Sequence, residues 1–183
     1  METYIRISSV LSTTKKVRML QEIIYGGNLT VSGVARGAGV DKGSVSRYFS
    51  ELSVAGILKR KRRKVELNGK CTLVKGLKII LSLSKLDIRP FDKTITGIGL
   101  YGSRAKGTDD ADSDFDIWVR TKRPLDEWKT AEFEYSLSKK LGAQAKILVL
   151  TSEKEERLRK EDPGFYYSMA SGSIILWGEG FGD

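Results

Sequence analysis

Histidine is absent from this 183-residue sequence, and cysteine occurs once, at Cys71. Without histidine the chain lacks the commonest general base and the commonest transition-metal ligand, so its chemistry must depend on carboxylates, lysine, hydroxyl groups or a hard metal ion. A single cysteine excludes an intramolecular disulfide and a zinc site built from several cysteines. No apolar run approaches the ~20 residues that span a bilayer, and the first ten residues do not resemble a signal peptide. We therefore expect a soluble, cytoplasmic protein with no membrane partner.

Acidic residues are scarce in the first half of the chain. Residues 1–93 contain 19 Lys or Arg and 7 Asp or Glu, whereas residues 94–183 contain 13 and 16, within a net charge of +9. Two modules with different partners explain this asymmetry better than one domain with a basic face. The composition changes in the segment 85–94, around Pro90, which is the predicted linker. The predicted domains are residues 1–88 and 94–183, and the fold class is α/β overall.

The segment 29–58 has the residue spacing of a helix-turn-helix. Ala35 is a small residue where two helices cross, Gly39 allows the turn, and Val45 packs the second helix against the first. Asp41 is the predicted N-cap of the second helix. The outward-facing residues of this helix are of types that contact phosphates and base edges in a major groove: Lys42, Ser44, Ser46, Arg47 and Ser50.

Two further helices flank this segment. Residues 12–27 read as a helix capped by Ser12, Thr13 or Thr14 and ended by Gly26. Residues 75–86 read as an apolar helix, more typical of packing or dimerisation than of a binding site. A homodimer is therefore left open.

A run of six basic residues follows the second helix between two short β-like segments: Lys59, Arg60, Lys61, Arg62, Arg63 and Lys64. This pattern predicts a two-stranded wing whose basic tip neutralises phosphates of double-stranded DNA. A solvated basic face is the alternative interpretation of the run alone. The whole stretch resembles the winged helix-turn-helix domains of prokaryotic regulators, which serve DNA binding and also protein–protein contact. The resemblance implies a mainly helical DNA-binding domain acting in transcription regulation.

The segment "GLYGSRAKGTDDADSDFDIWV", residues 99–119, predicts a site in the second half. A buried strand ends at Gly102 and Ser103. Because Gly102 has no side chain, a phosphate can approach the backbone there. Ser103 is predicted to cap a short helix over 104–106, so that its hydroxyl and nearby N–H groups bind an anion. The predicted nucleotide-binding residues are Gly102, Ser103, Arg104 and Lys106.

Asp114 and Asp116 lie two residues apart on the next predicted strand, so both side chains project from one face. Adjacent carboxylates repel each other, and a divalent cation is the usual remedy. The two aspartates are therefore the predicted metal ligands and catalytic residues for Mg²⁺, or Mn²⁺, bound together with an NTP.

The motif "GSRAKG", followed after an interval by "SDFD", resembles the signature of the DNA polymerase beta-like nucleotidyltransferase superfamily, in particular its minimal archaeal and bacterial members. The resemblance covers about residues 94–178 and implies an α/β domain with a small mixed sheet. It also implies transfer of a nucleoside monophosphate from NTP to a hydroxyl, with release of pyrophosphate. A winged helix before such a domain resembles a group of archaeal proteins.

One part of the resemblance fails. Active members of that superfamily usually carry a third carboxylate on the following strand, but "AQAKILVL" has Gln144 and Lys146 there. Lys146 could act as a base only with a depressed pKa. Asp109, Asp110 and Asp112 are alternative ligands from the loop, although a solvated acidic loop is the favoured explanation for them.

Two functions remain open at this point. The first is an enzyme that nucleotidylates a hydroxyl on a protein, a nucleic acid or a small molecule. The second is a DNA-binding transcription regulator whose C-terminal domain senses NTP without turnover. The missing acid favours the regulator, and the presence of Ser103, Asp114 and Asp116 favours the enzyme.

Overall fold

A computed structural model describes residues 7–61 and 64–181. The described residues form nine helices and two sheets, and the chain divides into two compact units, Met1–Leu77 and Lys78–Asp183. This division falls earlier than the predicted linker at 85–94. The physical reason is that Leu86, Ile88 and Phe91 pack into the hydrophobic core of the second unit instead of forming an exposed connection.

The first unit is mainly helical. Its elements are α1 (Ile7–Leu11), α2 (Thr14–Tyr25), α3 (Val31–Ala38), α4 (Lys42–Val54), β1 (Leu58–Lys61), β2 (Lys64–Leu67) and α5 (Thr72–Leu83), the last of which continues past the division between the units. The apolar helix predicted over 75–86 is therefore present with earlier limits.

Side-chain caps fix the helix boundaries of the first unit. Thr13 accepts a hydrogen bond from the Lys16 amide and is the cap of α2, one of the three predicted candidates. Asp41 caps α4 as predicted, since its carboxylate accepts from the Ser44 amide at 2.7 Å. Gly39 ends α3 in the left-handed conformation, with φ 65°. Val45 and Leu52 of α4 are completely buried with Leu20 of α2.

The two-stranded sheet is an antiparallel hairpin. Leu58 pairs with Leu67 at its base, and Lys61 pairs with Lys64 near its tip. The basic residues that the structure describes here, Lys59, Arg60, Lys61 and Lys64, are exposed. Arg62 and Arg63 lie outside the described residues.

The second unit is a mixed α/β domain. Its elements are β3 (Ile95–Tyr101), α6 (Gly102–Lys106), β4 (Phe115–Thr121), α7 (Glu127–Leu141), β5 (Ala145–Leu150), α8 (Ser152–Glu161), α9 (Pro163–Gly172) and β6 (Ile174–Gly178). The sheet order is β5-β4-β3-β6, in which β4 and β5 are parallel and the other pairs antiparallel. The small mixed sheet predicted for this domain is confirmed.

Both faces of this sheet are packed. On one face Ile98, Leu100 and Ile117 are completely buried in a core that includes Leu137 and Leu141 of α7. On the other face Trp118 is completely buried in a second core. A Cβ atom at Gly99 would lie 2.3 Å from the Trp118 ring, so the indole packs where only glycine leaves room. This second face carries the candidate site, which lies at the start of β4 beside Asp116.

Two boundaries differ from the sequence expectation. Pro124 does not begin α7, because Asp126 provides the cap by accepting from the Lys129 amide at 3.0 Å. The helix ends at Gly142 as predicted. None of the helices in the described part of the chain has the length and apolar character to cross a membrane.

Candidate functional site

Asp114 and Asp116 lie at the start of β4, where three strands meet. Asp114 immediately precedes the strand, and Asp116 pairs with Tyr101 on β3 and with Lys146 on β5. Both aspartates are partly buried, while Phe115 and Ile117 between and after them are completely buried in the core on the opposite face. Strand alternation thus places the two aspartates together on one face, as the sequence predicts.

Gly102 is in direct contact with one of the acids. It adopts φ 74°, and a Cβ atom built on it would lie 2.2 Å from Oδ2 of Asp116. The position therefore needs glycine for two reasons, the left-handed backbone and the close approach of a carboxylate. This contact joins the predicted phosphate-binding turn and the predicted metal ligands into one site.

Ser103 has a different position from the one predicted. It lies within α6, whose N-cap is Tyr101, and no side chain caps this helix. The prediction that Ser103 caps a helix over 104–106 is therefore wrong, because the left-handed turn at Gly102 already begins the helix. Ser103 remains half-buried beside Gly102, next to the acids.

Arg104, predicted to bind nucleotide, has its guanidinium inside the loop that leads to Asp114. Its side chain is 5% exposed and forms an ion pair with the buried Asp109 at 3.3 Å. It also donates to the carbonyl oxygens of Ser113 and Asp114 and lies over the Phe115 ring at 4.0 Å. These contacts occupy the guanidinium inside the loop and hold the backbone of Asp114 in place.

The acidic loop is not uniformly solvated. Asp109 is buried, and its backbone carbonyl accepts a hydrogen bond from Lys78. Asp110 accepts from the Ser113 hydroxyl at 2.7 Å, and this hydrogen bond lowers the pKa of Asp110. Asp112 is exposed. Asp109 and Asp110 are thus engaged in holding the loop that leads to Asp114, which argues against their use as substitute metal ligands.

Lys146 stands where the third acid was expected. Its Nζ lies 2.5 Å from Oδ2 of Asp114, and its side chain is 54% exposed. The hydrogen bond to Asp114 and the charge of that carboxylate raise the pKa of Lys146 and so favour the protonated amine, the opposite of the depressed pKa that a base would need. Gln144 precedes β5 and is exposed.

The environment of Asp116 opposes its negative charge. Burial raises the pKa of Asp116, the positive charge of Lys146 opposes that rise, and the charge of Asp114 adds to it. Burial and the charge of Asp116 together raise the pKa of Tyr101 to about 12. Negative charge is therefore costly at this point of the sheet, and a cation there is favourable.

Three residues near the site, namely Tyr101, Phe165 and Ser168, were not identified from the sequence. Tyr101, opposite Asp116, makes an edge-to-face contact with Phe165 of α9, with ring centroids 6.1 Å apart. Ser168 of α9 accepts a hydrogen bond at 2.9 Å from the exposed Lys106, one of the predicted nucleotide-binding residues. Tyr101 directly precedes Gly102 and could have been noticed, whereas no motif marks Phe165 or Ser168.

The donors present fit a divalent ion only in part. Among residues 7–61 and 64–181 no group of three or more His, Cys, Asp or Glu side chains could hold a metal ion. Mg²⁺ is commonly held by one or two carboxylates together with substrate phosphates and water. Asp114 and Asp116 therefore suit an ion that arrives with a triphosphate, and the ammonium of Lys146 is a competitor for Asp114.

The predicted DNA-contacting residues of α4 divide into two groups. Lys42, Ser46, Arg47 and Ser50 are exposed. Ser44 is half-buried, and its hydroxyl donates to the Asp41 carboxylate at 2.7 Å, so it takes part in the helix cap. A groove of about 610 Å³ lies between α4 and the hairpin, lined in part by Ser46, Ser50, Lys59 and Arg60.

Solved structures of toxin–antitoxin complexes show a distant likeness. A tri-AMPylated HEPN toxin in complex with an MNT antitoxin from Shewanella oneidensis matches at 20% identity and a TM-score of 0.37, over 57% of this chain and 73% of that chain. A toxin–antitoxin complex with AMP-PNP matches at 22% and 0.37, over 62% and 75%. The MntA-HepT complex matches at 21% and 0.34, over 60% and 74%. These TM-scores are too low to support an argument about function.

A comparison with proteins of curated function gave no significant match. The model of one protein family, "Nucleotidyltransferase domain", matches residues 76–167, just over half of the 183 residues. The matched range includes β3, the turn at Gly102, both aspartates and β5. This chain belongs to the nucleotidyltransferase domain family.

Proposed function

We propose that the chain binds a metal–NTP complex at Gly102, Ser103, Asp114 and Asp116 and transfers a nucleoside monophosphate to a hydroxyl acceptor. The contact between Gly102 and Asp116 is the observation that carries this proposal. It supports the proposal because the glycine at position 102 brings the turn and the pair of carboxylates together. A phosphate bound at the turn and a metal ion bound by the carboxylates would then be adjacent.

In this reaction the acceptor oxygen attacks the α-phosphorus, and a new oxygen–phosphorus bond forms. The bond from the α-phosphorus to the oxygen that bridges to the β-phosphate breaks, so that pyrophosphate leaves. The acceptor's proton passes to solvent water.

The residues of the chain contribute binding and orientation. Asp114 and Asp116 would hold Mg²⁺ or Mn²⁺, which supplies charge neutralisation for the phosphates. Gly102 lets the Asp116 carboxylate lie against the turn, and the Ser103 hydroxyl and Lys106 ammonium beside it offer donors to phosphate oxygens. Arg104 fixes the backbone of Asp114 through a hydrogen bond of 3.0 Å to its carbonyl. Phosphoryl chemistry depends mainly on such positioning and on electrostatics.

The first unit and Lys146 favour a second function, that of a DNA-binding regulator. The helix-turn-helix, the hairpin and the groove between them present basic and hydroxyl side chains to solvent, which suits a winged helix that binds double-stranded DNA. Lys146 lies on the strand where active members of the resembled superfamily usually carry a third acid. On this hypothesis the protein is a cytoplasmic transcription regulator whose second unit senses NTP without transferring it.

Labelled nucleotide distinguishes the two functions. The full chain is incubated with each α-³²P-labelled NTP, with Mg²⁺ or Mn²⁺, and with protein, nucleic-acid and small-molecule fractions of a cell extract. Label transferred to an acceptor by the wild type, and lost in Asp116→Asn, supports the transferase. Retention of unreacted NTP by the wild type, without transfer to any fraction, supports the sensor. Transfer that persists in Asp116→Asn contradicts the proposed site.

A further inference from the structure

The register between β4 and β5 gives Lys146 its place in the site. Because the two strands are parallel, with Asp116 opposite Lys146, the lysine projects from the same face as the acids. Its ammonium reaches past Asp116 and lies 2.5 Å from the Asp114 carboxylate. A third acid at this position would add negative charge, whereas the lysine brings a resident positive charge.

Charge accounting shows what the lysine does to a metal ion. The charged groups around the acid pair and Lys146 are the carboxylates of Asp114, Asp116 and Glu134, the Lys146 ammonium and the buried guanidinium of Arg104. Arg104 is already paired with Asp109. Lys146 therefore neutralises about half of the charge of the acid pair, and an approaching divalent ion must displace it or accept its repulsion.

We infer that Lys146 makes metal binding conditional on nucleotide. Without nucleotide its ammonium is ion-paired with Asp114, and this pair breaks only when the ammonium pairs with a bound triphosphate instead. The inference rests on the proposed function, since it assumes that the site receives an NTP. Once the lysine turns to the phosphates, both carboxylates are available as ligands.

The physical properties of the lysine support this exchange of partners. The side chain is 54% exposed, so it can move without any rearrangement of the core. Its flexible stem carries a compact charge that can follow a phosphate. A triphosphate carries several negative charges and offers a stronger attraction than one carboxylate. By thermodynamic linkage, nucleotide must then increase metal affinity by the same factor as metal increases nucleotide affinity.

Two binding measurements on the full chain test the inference. The first is Mn²⁺ binding without nucleotide, followed by the EPR signal of free Mn²⁺. The second is binding of metal-free AMP-PNP in EDTA, followed by calorimetry. Lys146→Met should raise the affinity for Mn²⁺ about tenfold or more and lower the affinity for metal-free AMP-PNP about tenfold, because one positive charge is removed. Lys146→Gln should behave in the same way.

Lys160→Met is the matched control, because Lys160 forms an ion pair of 2.8 Å with Glu156 on α8, outside the site. It should leave both affinities at the wild-type values. Opposite shifts in the two affinities distinguish the inference from simple unfolding, which would lower both. Unchanged Mn²⁺ affinity in both Lys146 variants overturns the inference while the proposed function stands. Absence of any Mg²⁺-AMP-PNP binding by the wild type overturns the proposed function and the inference with it.

Discussion

Arg104 and Asp109 form an ion pair in which the side chains are 5% and 0% exposed. The pair closes the loop between α6 and β4, and the same guanidinium donates to the carbonyl oxygens of Ser113 and Asp114. Arginine suits this role because its planar fork can hold several acceptors at once. The acid pair of the site is thus supported from behind by a buried network.

Replacing Arg104 should therefore damage both the fold and the site. Arg104→Met leaves the Asp109 carboxylate buried without its guanidinium, which costs about 3–5 kcal/mol of unfolding free energy. Arg104→Lys keeps the charge but cannot reproduce the fork, and we expect weaker Mg-NTP binding even where the protein is folded. Urea unfolding and calorimetry measure the two effects.

Arg157→Met provides the comparison, because Arg157 pairs with Glu161 at 3.7 Å on the exposed surface of α8. It should change stability by less than about 0.5 kcal/mol. Equal effects of the substitutions at positions 104 and 157 would show that the buried pair does not support the site.

Gly102→Ala should weaken nucleotide binding through a local clash. Alanine must adopt φ 74° and place its Cβ atom 2.2 Å from Asp116, so that the carboxylate moves. We expect a loss of NTP affinity of about tenfold or more. The left-handed backbone adds a loss of stability of about 1–2 kcal/mol. Calorimetry and thermal unfolding measure these two effects.

Gly142→Ala separates the clash from backbone strain. Gly142 has φ 65°, and a Cβ atom there would meet nothing within 4 Å. Its substitution should cause similar destabilisation without loss of NTP affinity. If both variants bind NTP as the wild type does, the close approach of Gly102 to Asp116 has no role in the site.

Local sequence patterns predicted much of the fold. Asp41 and Gly39 have side-chain and backbone preferences that act within a few residues, so α3 and α4 could be placed from sequence alone. The start of α7 was misplaced because Pro124 and Asp126 both suit a helix start, and the Lys129 amide hydrogen bond decides between them only in the folded chain. The division after Leu77 likewise depends on long-range packing.

The positions of the two acidic residues of the site could be predicted from the sequence, but the contacts of Arg104 and Lys146 could not. Alternation along β4 places Asp114 and Asp116 together without reference to any other strand. The role of Arg104 depends on the burial of Asp109, and a lone acid in a polar loop gives no sign of being buried. The direction of Lys146 depends on the register of β5 against β4, which residue types along the strands do not determine.

If the first unit binds DNA, its basic hairpin and α4 should contribute differently. Replacing Lys59, Arg60 and Lys64 together with Gln should weaken binding to all duplexes and reduce the magnitude of the salt slope by about 3, because fewer counterions are released. Arg47→Ala should mainly relax sequence preference. Fluorescence anisotropy at several salt concentrations, with random and selected duplexes, measures both effects.

The same binding measurements on substitutions of Lys42 and Ser46 compare further exposed residues of α4 with the hairpin. Equal, sequence-independent losses from the hairpin and α4 variants would argue against docking of α4 in a major groove. A wild-type protein without measurable duplex affinity at low salt would remove the DNA role altogether.

An acid at position 146 should increase turnover. Lys146→Asp places a carboxylate on the face of the sheet that carries Asp114 and Asp116 and removes the competing ammonium. We expect transfer to rise on the order of 100-fold from a slow wild-type rate, through better charge stabilisation. Lys154→Asp, on the exposed start of α8, makes the same charge change elsewhere and should leave the rate unchanged. Brisk wild-type transfer that Lys146→Asp impairs would mean that the lysine itself assists the reaction.

Calorimetric titration with NTP, with and without Mg²⁺, tests the role of the two acids most directly. Asp114→Asn together with Asp116→Asn keeps the shape of both side chains and removes their charge, and the fold should remain intact because the carboxylates no longer repel each other. The account predicts Mg²⁺-dependent NTP binding by the wild type and a loss of about 100-fold or more in the double variant. The same Mg²⁺-dependent affinity in both proteins would contradict it.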